Sequence, residues 1–99
     1  MSYEGWSNYE TWAVKLWMDN EEPSYRYWRE VAEEIISREP ETHRSYVLAT
    51  RLKDEHEEAL PELQGFAADL LNAAFGEVDW YEIAEDLLDE VKEEKQAKG

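Results

Sequence analysis

Apolar side chains recur every three or four positions through most of the chain, and this spacing predicts amphipathic helices. The first predicted helix begins at about Asn8, behind a capping box formed by Ser7 and Glu10, and stops near the acidic turn before Pro23. Its apolar positions are Tyr9, Trp12, Ala13, Leu16 and Trp17. The second helix begins at Pro23, a residue favoured in the first turn, and ends at about Arg38. Its predicted buried stripe consists of Tyr25 or Trp28, then Val31, Ala32, Ile35 and Ile36.

Two further helices are predicted between the break at residues 39–42 and the break near Gly76. The third helix runs from roughly Thr42 to Ala59. Its inner face has few large apolar residues, so we expect it to be the most exposed helix, or one completed by a partner; that face consists of Ser45, Leu48, Ala49, Leu52, His56 and Ala59. Pro61 opens the fourth helix. Its apolar positions are Leu63, Phe66, Ala67, Leu70, Leu71, Ala74 and Phe75.

The fifth predicted helix repeats the capping pattern, with Asp79 as the cap and Glu82 three residues later. Its apolar stripe consists of Trp80, Ile83, Ala84, Leu87, Leu88 and Val91. Both ends of the chain, residues 1–6 and 92–99, are expected to fray. No segment alternates with period two and no Asn-Gly or Asp-Gly hairpin turn occurs. The sequence therefore predicts an all-α fold, a compact bundle of four to five short helices in a single domain over residues 1–99.

Composition adds a strong negative charge to this picture. The chain has 25 Asp and Glu against 10 Lys and Arg, a formal net charge of −15, together with 5 Trp, 6 Tyr and 2 Phe. Without those aromatic residues at helical spacing, a chain this acidic would be expected to stay unfolded. Binding to nucleic acid or to an anionic membrane is disfavoured because phosphate contacts need clustered Lys and Arg. The expected partner is the basic surface of another protein, and the alternative is that the acids only confer solubility.

The residue inventory gives little support to catalysis or to a cofactor or metal site. No cysteine is present, and neither His43 nor His56 has a Glu three residues before it, as a di-iron bundle would require. The acidic turn at residues 19–22 is not a calcium loop, since Pro23 and Ser24 occupy its fifth and sixth positions. Nucleophile-elbow and phosphate-binding glycine motifs are missing as well. We expect a non-enzymatic protein.

The same inventory bears on where the protein acts. No stretch approaches the roughly 18 uninterrupted apolar residues of a membrane span, and the first residues lack the features of a signal peptide. Absence of cysteine suits a reducing compartment. We therefore expect a protein of the host cell cytoplasm.

Acidic residues are densest on the fifth predicted helix, with a carboxylate about every 3 Å along its axis between Asp79 and Glu94. This approaches the spacing of about 3.4 Å per phosphate on one DNA strand. Lysines at i+4 are nearly absent, so the carboxylates are expected to be unneutralised. The candidate residues for binding a basic partner are Glu82, Glu85, Asp86, Asp89, Glu90 and Glu93, with Asp54, Glu57 and Glu58 of the third helix as a parallel set.

An aromatic recognition surface is the alternative to the acidic one. Trp12 and Trp17 are five residues apart, about 140° around a helix, and cannot both point straight inward. Trp17 or Tyr27 is the candidate exposed anchor, because Trp and Tyr are enriched at interface hot spots. The domain would then be an interaction module or adaptor that docks through its N-terminal helices, with the charge serving solubility.

Three segments resemble a family of small uncharacterised proteins found in bacteriophages, plasmids and their hosts. They are Asn-Tyr-Glu-Thr-Trp at 8–12, followed by Leu-Trp-Met-Asp-Asn at 16–20, and Trp-Tyr-Glu-Ile-Ala-Glu at 80–85. Residues 80–94 are also similar to an acidic helix of a phage antirestriction protein that mimics DNA. The resemblance implies a mobile-element setting. Together with the charge, it leads us to expect an anti-defence protein, either anti-CRISPR or antirestriction, that binds the basic groove of a host nuclease or CRISPR effector.

Overall fold

Five α-helices form the part of the chain that the computed structural model describes, residues 3–98 with side chains as far as residue 94. They are α1 (Tyr9–Asn20), α2 (Glu22–Arg38), α3 (Glu41–Ala59), α4 (Gly65–Gly76) and α5 (Trp80–Lys98). No strand occurs within this range, where the β pairing consists of an isolated bridge between Tyr3 and Trp6. The predicted all-α helical bundle is confirmed.

The N-terminus of α1 is capped by Asn8 and not by Ser7, so the predicted capping box is wrong. Asn8 has extended backbone angles, and its side-chain Oδ1 accepts a hydrogen bond from the Thr11 amide at 2.9 Å. Ser7 lies one position too early for this role, and its backbone N–H donates to Glu82 instead. Asn is as effective an N-cap as Ser, and the local pattern alone did not separate the two.

A tight turn precedes α1, where fraying was expected. Tyr3 and Trp6 exchange two backbone hydrogen bonds of 2.5 and 2.7 Å. Glu4 and Gly5 both have positive φ, the combination found at the centre of a type I′ turn, and glycine adopts it without steric cost. The Tyr3 ring packs 4.8 Å from the Trp12 ring. The other expected frayed positions, residues 1 and 2, lie outside the described residues.

The core lies where α2, α3 and α5 meet, and α3 is central to it. The expectation that α3 is the most exposed helix is therefore wrong: Leu48 and Leu52 are fully buried. α3 runs antiparallel to α5, with Glu41 next to Lys92 at one end and the His56 ring next to Trp80 at the other. The short side chains of Ala49 and Ala84, both buried, permit close approach of helices, so few large residues are needed.

The predicted stripe of α5 is confirmed, since all of its residues are buried; they are Trp80, Ile83, Ala84, Leu87, Leu88 and Val91. The helix continues to Lys98, beyond Lys92, where we expected the tail to fray. Two contacts account for order at residues 91–94. Val91 is buried in the core, and Arg29 of α2 forms an ion pair with Glu94.

The most exposed helix is α4, which has no buried residue. It begins at Gly65 and not at Pro61, because residues 61–64 are not helical. The Phe75 ring packs 5.3 Å from the Trp80 ring, which holds the end of α4 against the start of α5. The core is already closed by α2, α3 and α5 together with Met18 of α1, and α4 lies at its edge.

Candidate functional site: the acidic surface of α5

A buried lysine gathers three of the carboxylates around α5. The Lys15 Nζ atom lies 2.9 Å from Asp19, 3.3 Å from Glu90 and 3.4 Å from Asp86. Lys15 is only 3% exposed, whereas the three carboxylate side chains are 40–41% exposed. The lysine therefore lies beneath its partners, at the contact of α1 with α5. We call these four residues the Lys15 cluster.

The Lys15 cluster keeps a net negative charge, because one ammonium faces three carboxylates. Burial lowers the pKa of Lys15, but the hydrogen bond to Asp19 and the nearby negative charges outweigh it, so the pKa lies above its usual value. Burial raises the pKa of Glu90. Attraction by Lys15 lowers this pKa, whereas repulsion from Asp86 and Asp19 raises it further, and the net result is a raised pKa. Burial of the Glu90 carboxylate, together with repulsion from Asp86 and Asp19, thus outweighs the stabilisation that Lys15 gives it.

A second cation reinforces the same flank of α5. Arg29 of α2 is 3.9 Å from Glu90 and pairs with Glu94, while its guanidinium carbon lies 5.3 Å from the centre of the Tyr25 ring. The prediction of an unneutralised row on α5 is therefore wrong for Asp86 and Glu90. The i+4 rule considers only partners on the same helix, whereas Lys15 and Arg29 come from α1 and α2.

Lys15 was not among the predicted residues of the candidate site. The signal in the sequence was a lysine four residues after Thr11 and four before Asp19, on the side of the first helix that also carries Met18. Thr11, Lys15 and Met18 prove to be the buried residues of α1. A lysine in such a stripe needs a carboxylate partner when it is buried.

Glu82 also has a role inside the fold. Its Oε1 atom accepts a hydrogen bond from the Ser7 amide at 3.0 Å, so it joins the segment before α1 to α5. The predicted cap at Asp79 is confirmed, because its Oδ1 atom accepts from the Glu82 amide at 3.1 Å. The Asp79 amide in turn donates to Thr11 Oγ1 at 2.8 Å. Glu82 therefore does not complete a capping box, and its carboxylate is only partly available to a partner.

The first segment that carries the family resemblance, residues 8–12, contacts the turn before α5. Asn8 caps α1 and also donates through Nδ2 to the Glu77 carbonyl at 2.7 Å. Thr11, which is fully buried, accepts from the Asp79 amide. Asn8 and Thr11 of this segment thus join α1 to the turn that precedes α5.

Three α5 carboxylates remain outside these contacts and form what we call the outer acidic row: Glu85, Asp89 and Glu93. All three are exposed, and none lies within ion-pair distance of a described cationic side chain. The neighbouring cations are engaged elsewhere: Arg44 donates to the carbonyls of Glu39 and Ile36, and Lys92 pairs with Glu41. Members of the row are four residues apart, about 6 Å along the helix.

The acidic residues of α3 lie at a different level from the outer acidic row. Asp54, Glu57 and Glu58 are exposed and, among the described side chains, have no ion-pair partner. Their end of α3 is next to Trp80 at the start of α5. The outer acidic row begins five residues after Trp80, about 8 Å farther along. The expectation of two parallel rows is therefore wrong, since the antiparallel packing places the two sets one after the other.

The aromatic candidates differ in how much of each side chain is exposed. Trp17 is 66% exposed, whereas Trp12 is half-buried, so the two do not both point inward, as predicted. Trp17 borders a cleft between α1, α2 and α3, whose other lining residues are Ala13, Val14, Met18, Glu21, Ser24 and His56. Its indole is available to a partner.

Tyr27 is held by its own neighbours on α3. Its hydroxyl donates to Glu55 Oε1 at 2.6 Å and accepts from Arg51 at 3.2 Å. The hydrogen bond to Glu55 raises the pKa of Tyr27, and burial adds to the rise. The Tyr27 hydroxyl therefore links α2 to α3, and Trp17 is the better candidate anchor.

The structure also bears on metal and membrane chemistry. Within residues 3–98, no group of three or more His, Asp or Glu side chains is arranged to hold a metal ion. Over the same range, every helix is too short or too polar to span a bilayer.

His56 packs its ring between Trp28 and Trp80, at 5.5 and 5.2 Å, and its Nδ1 atom lies 2.7 Å from the Leu52 carbonyl oxygen. Its ring contributes to the packing of the core.

Comparison with known proteins places the chain in one family. No curated protein and no solved structure matches it. The model of a family of unknown function, DUF7249, matches residues 1–98. The predicted likeness to an uncharacterised family is confirmed at this level, while its phage or plasmid setting stays a prediction. The chain belongs to the DUF7249 family of unknown function.

Proposed function

We propose that this protein is a non-enzymatic anti-defence protein that occupies the basic nucleic-acid-binding groove of a host nuclease or CRISPR effector. The carboxylates of α5 take the place of phosphates. The observation that carries the proposal is the outer acidic row, exposed and without ion-pair partners among the described side chains, next to the Lys15 cluster. The mobile-element setting that the family resemblance implies agrees with such a role.

The Lys15 cluster supports this function although its carboxylates are ion-paired. One lysine beneath Asp86 and Glu90 leaves both carboxylates about 40% exposed, and each carboxylate has several acceptor sites. Side chains already held in place lose less conformational entropy when a partner binds. The internal ion pairs therefore position these two groups as acceptors and leave part of their charge for a basic partner.

Spacing gives the second argument. The outer acidic row alone has one carboxylate about every 6 Å, roughly half the density of phosphates on one DNA strand. Asp86 and Glu90 lie between its members in sequence and bring the spacing over residues 85–93 to about 3 Å. An edge of α5 that includes the Lys15 cluster therefore approaches the charge density of a phosphate strand.

The test is protection of an infecting phage in host strains that each carry one type I restriction or CRISPR system. Asp89→Lys with Glu93→Lys reverses two exposed charges, and Glu30→Lys with Glu33→Lys on α2 is the matched control. Reversing Asp86 or Glu90 is unsuitable, because a new ammonium would face Lys15 Nζ. We expect the wild type and the α2 variant to raise plating efficiency in a susceptible strain and the α5 variant to lose at least about tenfold of this effect.

Binding to the purified target of that strain should also weaken steeply between about 0.05 and 0.2 M salt, because the Debye length shortens as salt rises and is about 10 Å at 0.1 M and about 8 Å at 0.15 M. Full protection by the α5 variant, or a binding affinity that does not change with salt concentration, would show that α5 does not act as a polyanion.

The exposure of Trp17 favours one alternative function, an adaptor that docks through α1 and α2. An exposed indole beside an apolar cleft is the kind of residue that dominates interface energy. Trp17→Ala should then abolish function, while the matched control Tyr46→Ala, which removes an equally exposed ring from α3, should not. Circular dichroism would verify that both variants keep the fold. Loss of function in Trp17→Ala together with retention in the α5 variant would select the adaptor.

A further inference from the structure

The cleft beside Trp17 combines apolar walls with polar groups that have no partner. It has a volume of about 380 Å³, near the lower end of the range of about 300–1,000 Å³ for ligand pockets. Ala13, Val14 and Met18 of α1 supply apolar walls, and no described Lys or Arg side chain lines it. We call it the Trp17 cleft. An occupant therefore meets apolar surface and no Lys or Arg of this chain.

Trp17 and Glu21 offer a ring face and a carboxylate to the same occupant. The Glu21 amide donates to the Trp17 carbonyl at 3.2 Å, so Glu21 lies one helical turn beyond Trp17. Glu21 is also the single residue between α1 and α2, at the end of the cleft where the two helices join. Its carboxylate is exposed and has no ion-pair partner among the described side chains. The face of an indole attracts cations, and a carboxylate beside it would pair with the same cation.

The other polar lining residues add acceptors. Ser24 is half-buried, and its hydroxyl forms no hydrogen bond within the described chain. His56 Nδ1 lies 2.7 Å from the Leu52 carbonyl oxygen, which can only accept, so Nδ1 carries a proton. The neutral ring then keeps Nε2 as an acceptor and brings no positive charge to the cleft. Each of the three polar side chains that line the cleft can thus accept a hydrogen bond.

These acceptors disfavour apolar and anionic occupants. A purely apolar anchor would remove water from the Glu21 carboxylate and the Ser24 hydroxyl without replacing their hydrogen bonds, which costs free energy. An anionic occupant would face Glu21. A cation with an apolar stem suits both parts of the lining, because the stem covers Val14 and Met18 and the head meets the acceptors.

Arginine meets these requirements better than lysine. Its planar guanidinium stacks on an aromatic ring and carries five N–H donors, enough for both oxygens of Glu21 and for Ser24. The lysine ammonium is compact and strongly hydrated, so it loses more hydration when it enters an apolar cleft.

The arginine must come from another protein. The five arginines of this chain are engaged in the structure: Arg26, Arg29, Arg38 and Arg51 pair with carboxylates, and Arg44 donates to two carbonyls. Two copies of net charge −15 would also repel one another.

We propose that the Trp17 cleft binds an arginine side chain of a partner protein. The inference goes beyond the function proposed above, since it uses none of the α5 carboxylates and does not require a defence protein as the partner. It also gives the alternative adaptor a specific ligand.

The probe is acetyl-Gly-Arg-Gly-amide, which carries one charge and has no charged ends. It is titrated into isotopically labelled protein at about 0.15 M salt, where long-range attraction is screened. We expect saturable NMR shifts of the Trp17 indole N–H and of the Glu21 and Ser24 amides. The same peptide with citrulline, which keeps the side-chain length and removes the charge, should bind at least about tenfold more weakly. The lysine peptide should bind at least about threefold more weakly.

Two variants test the residues that carry the inference. Glu21→Gln should weaken binding of the arginine peptide by at least about fivefold, because it removes the charge of the acceptor. Trp17→Leu should weaken it by at least about threefold, since it removes the ring face and keeps an apolar side chain. The matched controls alter an exposed acid and an exposed ring away from the cleft and should stay within about twofold of the wild type; they are Glu33→Gln on α2 and Tyr46→Leu on α3. The amide spectrum of each variant verifies its fold.

Several results would overturn the inference. Equal binding of the citrulline peptide would show that the cleft does not recognise charge, and equal binding of the lysine peptide would remove the choice of arginine. Tighter binding of free arginine than of the capped peptide would assign the cleft to the amino acid. Absence of saturable shifts would leave the cleft without this ligand. Shifts confined to Glu85 and Asp89 would place the peptide on the outer acidic row; the inference then fails while the proposed function stands.

Discussion

Lys15 and Glu90 are 75 positions apart in the sequence, yet Lys15 Nζ lies 3.3 Å from Glu90 Oε1. This contact joins α1 to α5 and places a buried cation beside a carboxylate of the acidic helix. It also shows that the charge of α5 is organised by another helix. Both the stability of the domain and the availability of its carboxylates depend on this relationship.

Replacing Lys15 by methionine should destabilise the domain by about 1–3 kcal/mol, because Asp19, Asp86 and Glu90 would then lose the cation that they share. Their partial exposure keeps the loss below that expected for fully buried carboxylates. Urea unfolding followed by circular dichroism measures it. Lys53→Met is the matched control, since Lys53 is exposed and has no ion pair with a described side chain; it should change stability by less than about 0.5 kcal/mol. Equal effects of the two variants would contradict this role for Lys15.

Glu90→Gln should stabilise the domain slightly at neutral pH. The pKa of Glu90 is raised in the fold, so between the ordinary value of 4.5 and the raised value the folded chain binds more protons than the unfolded chain. Ionised Glu90 therefore lowers stability as pH rises through that window. The gain of the variant should appear above pH 4.5 and stay below about 1 kcal/mol, because Glu90 is partly exposed. Unfolding series from about pH 4 to pH 8 measure it, and a gain that shrinks as pH rises would contradict the assignment.

Asn8→Ala should cost about 0.5–2 kcal/mol in the free energy of unfolding. The variant loses the cap on the Thr11 amide and the hydrogen bond to the Glu77 carbonyl. Ser7→Ala is the informative control, because only the backbone amide of Ser7 bonds to Glu82 and the substitution keeps that amide. Thermal unfolding of both variants distinguishes the two possible caps. A larger loss for Ser7→Ala would restore the capping box that the sequence suggested.

Tyr27→Phe should lower stability by about 0.5–1.5 kcal/mol, since it removes the hydroxyl that donates to Glu55 and accepts from Arg51. Tyr25→Phe is a matched control on the same helix: its ring contacts Arg29, and the ring is kept. Chemical unfolding of the two variants gives the comparison. If neither substitution changed the free energy of unfolding, the hydrogen bonds of Tyr27 between α2 and α3 would contribute no net stability. Tyr27 would then again be a candidate anchor for a partner.

Local features of this protein could be predicted because they depend on neighbours along the chain. The stripe of α5, the cap at Asp79 and the start of α2 near Pro23 all follow from spacing within a few residues. The angle between Trp12 and Trp17 predicted in the same way that the two do not both point inward, and Trp17 is the exposed one. Helix formation and amphipathic faces obey short-range rules, so the residues themselves were sufficient.

Burial was predictable only where one helix carried enough apolar residues to indicate its own inner face. α3 has few such residues, yet it is central because Ala49 and Ala84 permit close packing with α5. α4 is rich in apolar residues, yet none is buried. The pattern of an apolar helix is the same whether its partner is the core of its own chain or another molecule.

The sequence by itself determined the helical class, the acidic character and the apolar stripes, because each is a property of composition or of local spacing. Only the tertiary structure decided that Lys15 lies beneath Asp86 and Glu90, that Glu82 bonds to the Ser7 amide, and that Glu85, Asp89 and Glu93 face outward. The physical reason is that charge pairing depends on distances of a few ångströms between helices. Those distances follow from how the helices pack, which no spacing within a single helix encodes.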